Sequence, residues 1–226
     1  MQVLETYSHK DGEAFIREHR RAELDDVLEA VAGLQAAACL RKISREEGRP
    51  PLLFSPIELN LRIKQFLSPR GWTVPDPQTK KGFREPRLYY TPREYREMDG
   101  MENKVGLEIQ FGKYAFMGYD ILLKMPIFAR EGLIDCGIEV VAMPALQQEM
   151  STGVSHFGQI VADLERRGVA DLDLPTLVLG IGLTEAESEA CAAKRARFLR
   201  SRAQAVESGA VEPPAATPKP GPKPLP

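Results

Sequence analysis

Hydrophobic and polar positions change period several times along the chain, and each change marks an element. Residues 1–12 read as an extended entry, an edge strand ending at Asp11-Gly12. From residue 13 to about 43, Phe15, Leu24, Val27, Leu28, Val31 and Leu34 recur every three or four positions, which predicts a helical part. A charged loop follows and ends in Pro50-Pro51. Ser55-Pro56 then opens a second helix, because Ser is a good N-cap and Pro suits the first helical position. Leu59, Ile63, Phe66 and Leu67 form its apolar stripe, and Gly71-Trp72 closes it.

The period becomes two in a hairpin spanning residues 98–113. Leu107, Ile109 and Phe111 point to one face of its strand, and Glu108 and Gln110 to the other. Residues 114 to about 130 read as a helix with Phe116, Tyr119, Leu122, Leu123 and Phe128 on its apolar side, bent near Met125 by Pro126. The run 133–143 is almost wholly apolar and predicts a central strand. A helix over about 154–167, a strand over 176–181 and a helix from Glu185 to about Val206, capped by Thr184, complete the pattern. The order predicts an α/β fold, a mixed β-sheet core flanked by helices. It occupies 1–206 as a single domain with a helical N-terminal part. Residues 207–226, rich in Pro, Ala and Lys, read as a disordered tail.

Composition narrows the function. With 43% hydrophobic and 27% charged residues, the chain has the make-up of a soluble globular protein. It has neither a run of apolar residues long enough to span a membrane nor a signal-like start. Its three scattered cysteines, Cys39, Cys136 and Cys191, suggest neither a disulfide framework nor a zinc site, which favours a cytoplasmic location. The net charge of −2 excludes a global basic footprint, so any nucleic-acid surface must be local. Residues 78–97 suit one, with Lys80, Lys81, Arg84, Arg87, Arg93 and Arg96 against three glutamates and among Tyr89, Tyr90 and Tyr95, although the same make-up also suits a solvated loop.

The candidate chemistry lies in the hairpin. It brings Asp99 close to Glu108 and Gln110, and the simplest partner for two neighbouring carboxylates is a divalent cation. The same spacing also suits a half-exposed strand whose wet face carries Glu and Gln. Elsewhere, His9 and His19 read as surface residues, and Cys136 as core. Asp135 and Glu139, four apart on one strand, suggest sheet-edge or dimer contacts. Glu58 lies in the first turn of the second helix and complements its dipole.

The phrase Val105-Gly106-Leu107-Glu108-Ile109-Gln110-Phe111-Gly112-Lys113, preceded by Asp99, resembles the active site of the BglII- and BstYI-type restriction endonucleases. Ile134-Asp135-Cys136-Gly137-Ile138-Glu139 and Met150-Ser151-Thr152-Gly153-Val154-Ser155 extend the resemblance, as do Tyr7-Ser8-His9 and the Leu59-Asn60 … Gly71-Trp72 pattern. The wider superfamily carries a Pro-Asp … (Asp/Glu)-x-Lys site. This branch has Gln for the Lys, and here Met98 stands where Pro is usual. The resemblance implies a restriction-endonuclease-like fold and a type II enzyme that cuts double-stranded DNA with Mg²⁺ at a GATC-centred palindrome. Asp99, Glu108 and the Ile109 carbonyl would hold the metal, with Gln110 as an orienting catalytic residue that cannot deprotonate water. Resemblance to relatives that use a helix acid implies that Glu58 could approach the metal. Lys113, Ser151, Thr152 and Ser155 would contact DNA, while His156, among small polar residues, suits a DNA contact or a helix cap as well as a catalytic role. A homodimer and a cognate DNA methyltransferase follow from the same resemblance. Two alternatives stay open: a DNA-binding protein of this fold that has lost cleavage, and a structure-directed repair nuclease.

Overall fold

The computed structural model describes residues 1–79 and 82–208. The Lys80-Lys81 portion of the basic stretch and the proposed tail beyond Ser208 lie outside the described residues. In chain order the N-terminal part comprises β1 (Gln2–His9), α1 (Gly12–His19), α2 (Arg21–Ala32), α3 (Ala36–Cys39), β2 (Leu40–Ile43), β3 (Leu52–Phe54) and α4 (Pro56–Leu67). Small hairpins follow: β4 (Val74–Pro75) with β5 (Phe83–Arg84), and β6 (Arg87–Tyr89) with β7 (Tyr95–Glu97). Next come β8 (Gly100–Glu102), β9 (Val105–Gln110), α5 (Tyr114–Tyr119), a π turn (Asp120–Lys124) and α6 (Met125–Arg130). The chain continues through β10 (Cys136–Ala142), α7 (Pro144–Gln148), α8 (Phe157–Arg167), β11 (Thr176–Gly182) and α9 (Glu185–Glu207).

The central sheet has the order β1-β11-β10-β9-β8. Its inner strands β9, β10 and β11 run parallel, while β1 and β8 close the edges antiparallel. Both faces of the parallel strands are covered, so they read as near-continuous apolar runs. One face, with Leu107, Ile109, Ile138, Val140, Leu177 and Leu179, packs on Ile16, Leu24, Val27, Leu59 and Ile63 of the N-terminal helices. The other, with Val141 and Val178, packs on Met117, Ile121, Phe157, Ile160 and Leu164.

The helix starts follow their caps. Ser55 Oγ accepts from Glu58 N at 3.3 Å, and Thr184 Oγ1 accepts from Glu187 N at 3.3 Å. The single long helix expected over 13–43 is instead three helices and a strand. Breaks fall at Arg20 (φ −139°) and after Gly33, and Leu40 then turns into β2. A 3.6-residue period persists across such breaks, so the pattern alone does not reveal them.

The helix over 114–130 also departs from expectation. Met117, Ile121, Met125 and Phe128, four and three residues apart, face the core across the π turn, while Phe116 and Leu123 are exposed. His9 is likewise buried, not superficial. Its Nε2 lies 2.9 Å from Asp173 Oδ2, whose carboxylate also takes two hydrogen bonds from Arg167. Burial raises the Asp173 carboxyl, but Arg167, the Ala170 N–H and His9 together outweigh it and hold the pKa at about 2.

Candidate active site

The cross-strand pairing of β8 and β9 aligns Gly100 with Leu107 and Met101 with Gly106. Asp99 lies in the bend just before β8, outside this register, and its Oδ2 reaches Ile109 N of β9 at 2.8 Å. On the other side, Glu108 is paired with Glu139 of β10. Directly opposed residues share a face, so Glu108 and Glu139 form an acidic row across β9 and β10, and Asp99 joins Glu108 at one cleft. Like charges opposed in this way destabilise a sheet unless something neutralises them.

Two lysines from the flanking helices do part of that. Lys64 of α4 places its Nζ 2.5 Å from Asp99 Oδ1 and 2.5 Å from Glu85 Oε1. Lys124, at the end of the π turn, places its Nζ 2.7 Å from Glu108 Oε1 and 2.6 Å from Asp120 Oδ1. Burial pushes both ammonium groups down, but the facing carboxylates outweigh it and hold them above the ordinary lysine range. Asp99 Oδ2 also accepts from Ile109 N at 2.8 Å, which fixes the carboxylate against the strand.

These groups line a cleft of about 500 Å³. Asn60, Leu61 and Lys64 form one wall, Phe116, Tyr119, Asp120 and Lys124 the other, and Glu108 to Gly112 the floor. Gln110 is held at both ends: its Nε2 donates to Asp120 Oδ2 at 2.8 Å, and its Oε1 accepts from Gly112 N at 2.8 Å. The Ile109 carbonyl accepts from Asn60 Nδ2 at 3.1 Å and keeps a second lone pair.

The donor set suits a hard divalent cation. Asp99 and Glu108 offer carboxylates at one cleft, the Ile109 carbonyl is a third oxygen, and water completes such sites. Among the described residues no three His, Cys, Asp or Glu side chains form a group that could hold a metal by themselves. Glu108 Oε1 is buried and takes no hydrogen bond of good geometry, although Lys124 is close. Burial, then the charges of Asp99 and Asp120, push the Glu108 carboxyl well above the ordinary carboxylate range. A cation would relieve that excess negative charge.

Glu139 corrects the sequence reading. It lies on a central strand, not an edge, is wholly buried, and neither carboxyl oxygen has a hydrogen-bond partner. Asp135, expected on the same strand face, precedes β10 and pairs with Arg20 at 2.8 Å. Burial, then Asp120 and Glu108, push the Glu139 carboxyl far above the ordinary range. The folded chain therefore retains a proton that the unfolded chain releases above about pH 4.3, and stability falls as pH rises from there towards the raised folded pKa. Glu139→Gln removes this share. Its stability relative to wild type is expected to increase from pH 5 to 8 by up to about 1.4 kcal/mol per pH unit, measured by urea unfolding in EDTA. Parallel profiles would refute it.

Other sequence candidates fall into place unevenly. Glu58 does not reach the cleft; it pairs with Arg62 at 2.9 Å and Arg41 at 3.4 Å, while Asn60 and Lys64 of the same helix do reach it. Lys113 is exposed and bridged to Val154, which brings the exit of β9 beside the 151–155 loop. Tyr114 N donates to Gly153 O at 3.2 Å, and Ser155 N to Gly112 O at 3.2 Å. Ser155 is completely buried, so its side chain holds the loops together and presents nothing to solvent. Thr152 N and Oγ1 both donate to Glu46 Oε2, and Ser151 bonds Lys42. Arg87 stacks on the Tyr95 ring at 4.2 Å in the β6–β7 hairpin that leads into Asp99. Sequence reasoning missed Lys64, Asp120 and Lys124. The spacing of Asp120 and Lys124, which suits an ion pair along one helical face, was the available signal.

The mixed sheet flanked by helices has the fold of a restriction endonuclease. A search of the solved structures places the chain on that fold. It matches BglII complexed with a DNA 16-mer at a TM-score of 0.61 and 16% identity, covering 82% of this chain and 80% of that one. It matches free BglII at a TM-score of 0.54 and 14% identity, covering 81% of each chain. A search of curated proteins finds no significant match. The family model described as restriction endonuclease BglII/BglIII matches residues 4–181, and the chain belongs to that family of type II site-specific endonucleases. No helix among the described residues is long and apolar enough to cross a membrane.

Proposed function

We propose that the protein hydrolyses phosphodiester bonds in double-stranded DNA with Mg²⁺, as a homodimer, at a palindrome centred on GATC. The observation that carries the reading is the convergence of Asp99, tied to Ile109 N, and Glu108 on one cleft between α4 and the π turn. Asp99, Glu108 and the Ile109 carbonyl are the residues that would hold the cation. When bound, it acidifies water and offsets charge on the phosphate. In the reaction a water oxygen bonds to phosphorus and a P–O bond of the backbone breaks. The proton lost by the water is balanced by one gained at the leaving oxygen.

The chain's own groups orient these parts. Lys64 and Ile109 N fix both oxygens of Asp99, and Asn60 fixes the Ile109 carbonyl. Gln110 has no charge to give and acts by holding Asp120 and the turn at Gly112. Lys113, Ser151 and Thr152, on the loops joined at the exit of β9, would contact DNA. A palindrome presents the same bond on each strand, so a symmetric pair of subunits supplies one site per strand. A cognate methyltransferase would protect the host's own sites.

Incubating unmethylated plasmid with the full chain and Mg²⁺ is expected to give discrete fragments whose sequenced ends define site and stagger together. Uniform smearing would refute sequence specificity. Specific retardation of one duplex without cutting in Mg²⁺ or Mn²⁺ would instead indicate a binding protein. Cleavage that follows DNA structure would indicate a repair nuclease.

A further inference from the structure

Strand position 110, nearest the two acids on their own strand face, carries an uncharged amide with both ends already bonded. The positive charge nearest Glu108 comes from elsewhere, from Lys124. Three observations converge on this side chain. It lines the same cleft as Asp99 and Glu108. Its ammonium lies 2.7 Å from Glu108 Oε1 and 2.6 Å from Asp120 Oδ1, and two ion-pair partners do not occupy all three of its N–H donors. It is delivered by a π turn, an uncommon backbone form that occurs mostly as single turns at functional sites. Asp120 opens the same turn and joins the two systems, accepting from Gln110 with one oxygen and pairing with Lys124 through the other.

Lys64 is a weaker candidate for the same task. Its side chain is only 4% exposed and lies between Asp99 and Glu85, on the α4 wall. Lys124 is on the opposite wall, beside Glu108, with 12% exposure.

We propose that Lys124 is a further catalytic residue, whose third N–H donor contacts the phosphate undergoing cleavage. It would supply from a helix the charge that Gln110 does not supply from the strand. The proposal rests on the cleavage reading above. Preorganised cations of this kind act on charge that develops during reaction, so the loss should fall on rate.

The test compares wild type, Lys124→Met and Asp99→Ala on a duplex containing the mapped site. Lys124→Met is expected to lower single-turnover cleavage by about 10²-fold or more. A binding cycle in EDTA gives a second readout independent of cleavage. Replacing the scissile phosphate by a neutral methylphosphonate should weaken wild-type binding, and that penalty should shrink in Lys124→Met. Cleavage at the wild-type rate, or an unchanged methylphosphonate penalty, would overturn the proposal. Thermal unfolding identifies a variant that fails to fold. Lys124→Arg then takes its place, keeping the charge and hence the penalty, and loss of the penalty there would also overturn it. Full cleavage by Asp99→Ala would overturn the underlying reading of the site instead.

Discussion

Asp99→Ala is expected to lower DNA cleavage by about 10³-fold or more, equivalent to about 4 kcal/mol of transition-state stabilisation. Specific binding, measured by gel retardation in Ca²⁺, should be retained or tightened, because one negative charge leaves a surface that phosphates approach. The residue has two duties that must be separated. Its Oδ2 accepts from Ile109 N, which tethers the approach to β8 onto β9, and its charge joins that of Glu108 at one cleft. Asp99→Asn keeps an oxygen acceptor for Ile109 N and removes only the charge. The asparagine variant should therefore melt close to wild type yet cut as poorly as the alanine variant. Cleavage at near-wild-type rate in either would remove Asp99 from the active site.

Trp72→Ala should give the largest loss of stability of any single change near the site, about 3–5 kcal/mol. For a chain of this size that corresponds to a fall in melting temperature of about 6–20 °C. Trp72 is completely buried, and its indole N–H donates to Asp26 at 3.0 Å. It also lies directly beneath the hairpin. A Cβ at Gly100 would meet the indole at 3.3 Å, and Met101 N donates to Trp72 O at 2.9 Å. Removing the ring opens a void under the segment that carries Asp99. Cleavage well below the melting range should then fall as well, because the acids lose their backing. Unchanged melting in a differential scan would show that the hairpin is supported from elsewhere.

What the sequence made legible follows from the range of the interactions. Ser55-Pro56 and Thr184 mark helix starts through hydrogen bonds three residues away, and both caps form. The hairpin that brings Asp99 close to Glu108 is a local pairing of consecutive strands, and alternation along β9 reveals which side chains share a face. Glu139 was misread because its neighbour Glu108 is 31 positions away and becomes adjacent only through a parallel crossover. Lys64 and Lys124 were missed for a related reason. Each sits on a helix whose orientation is set by packing against the sheet, and nothing local says that a lysine will point inward. Across the π turn the buried positions Met117, Ile121, Met125 and Phe128 keep helical spacing, but a neighbouring stripe with Phe116 and Leu123 was assigned to the core and stands in solvent. The family resemblance reached the fold and the enzyme class that the matching family model bears out, but these contacts belong to this chain's own packing.

The bridge between Lys113 and Val154 has a mechanical consequence. Backbone hydrogen bonds join Tyr114 to Gly153 and Ser155 to Gly112 on either side of it, with no flexible side chain between. Gly112 N is in turn bonded to the side chain of Gln110. A load applied to the 151–155 loop is thus transmitted through peptide units to the end of β9. The loop and the acidic strand behave as one stiff lever, and a partner that shifts the first necessarily re-aims the second.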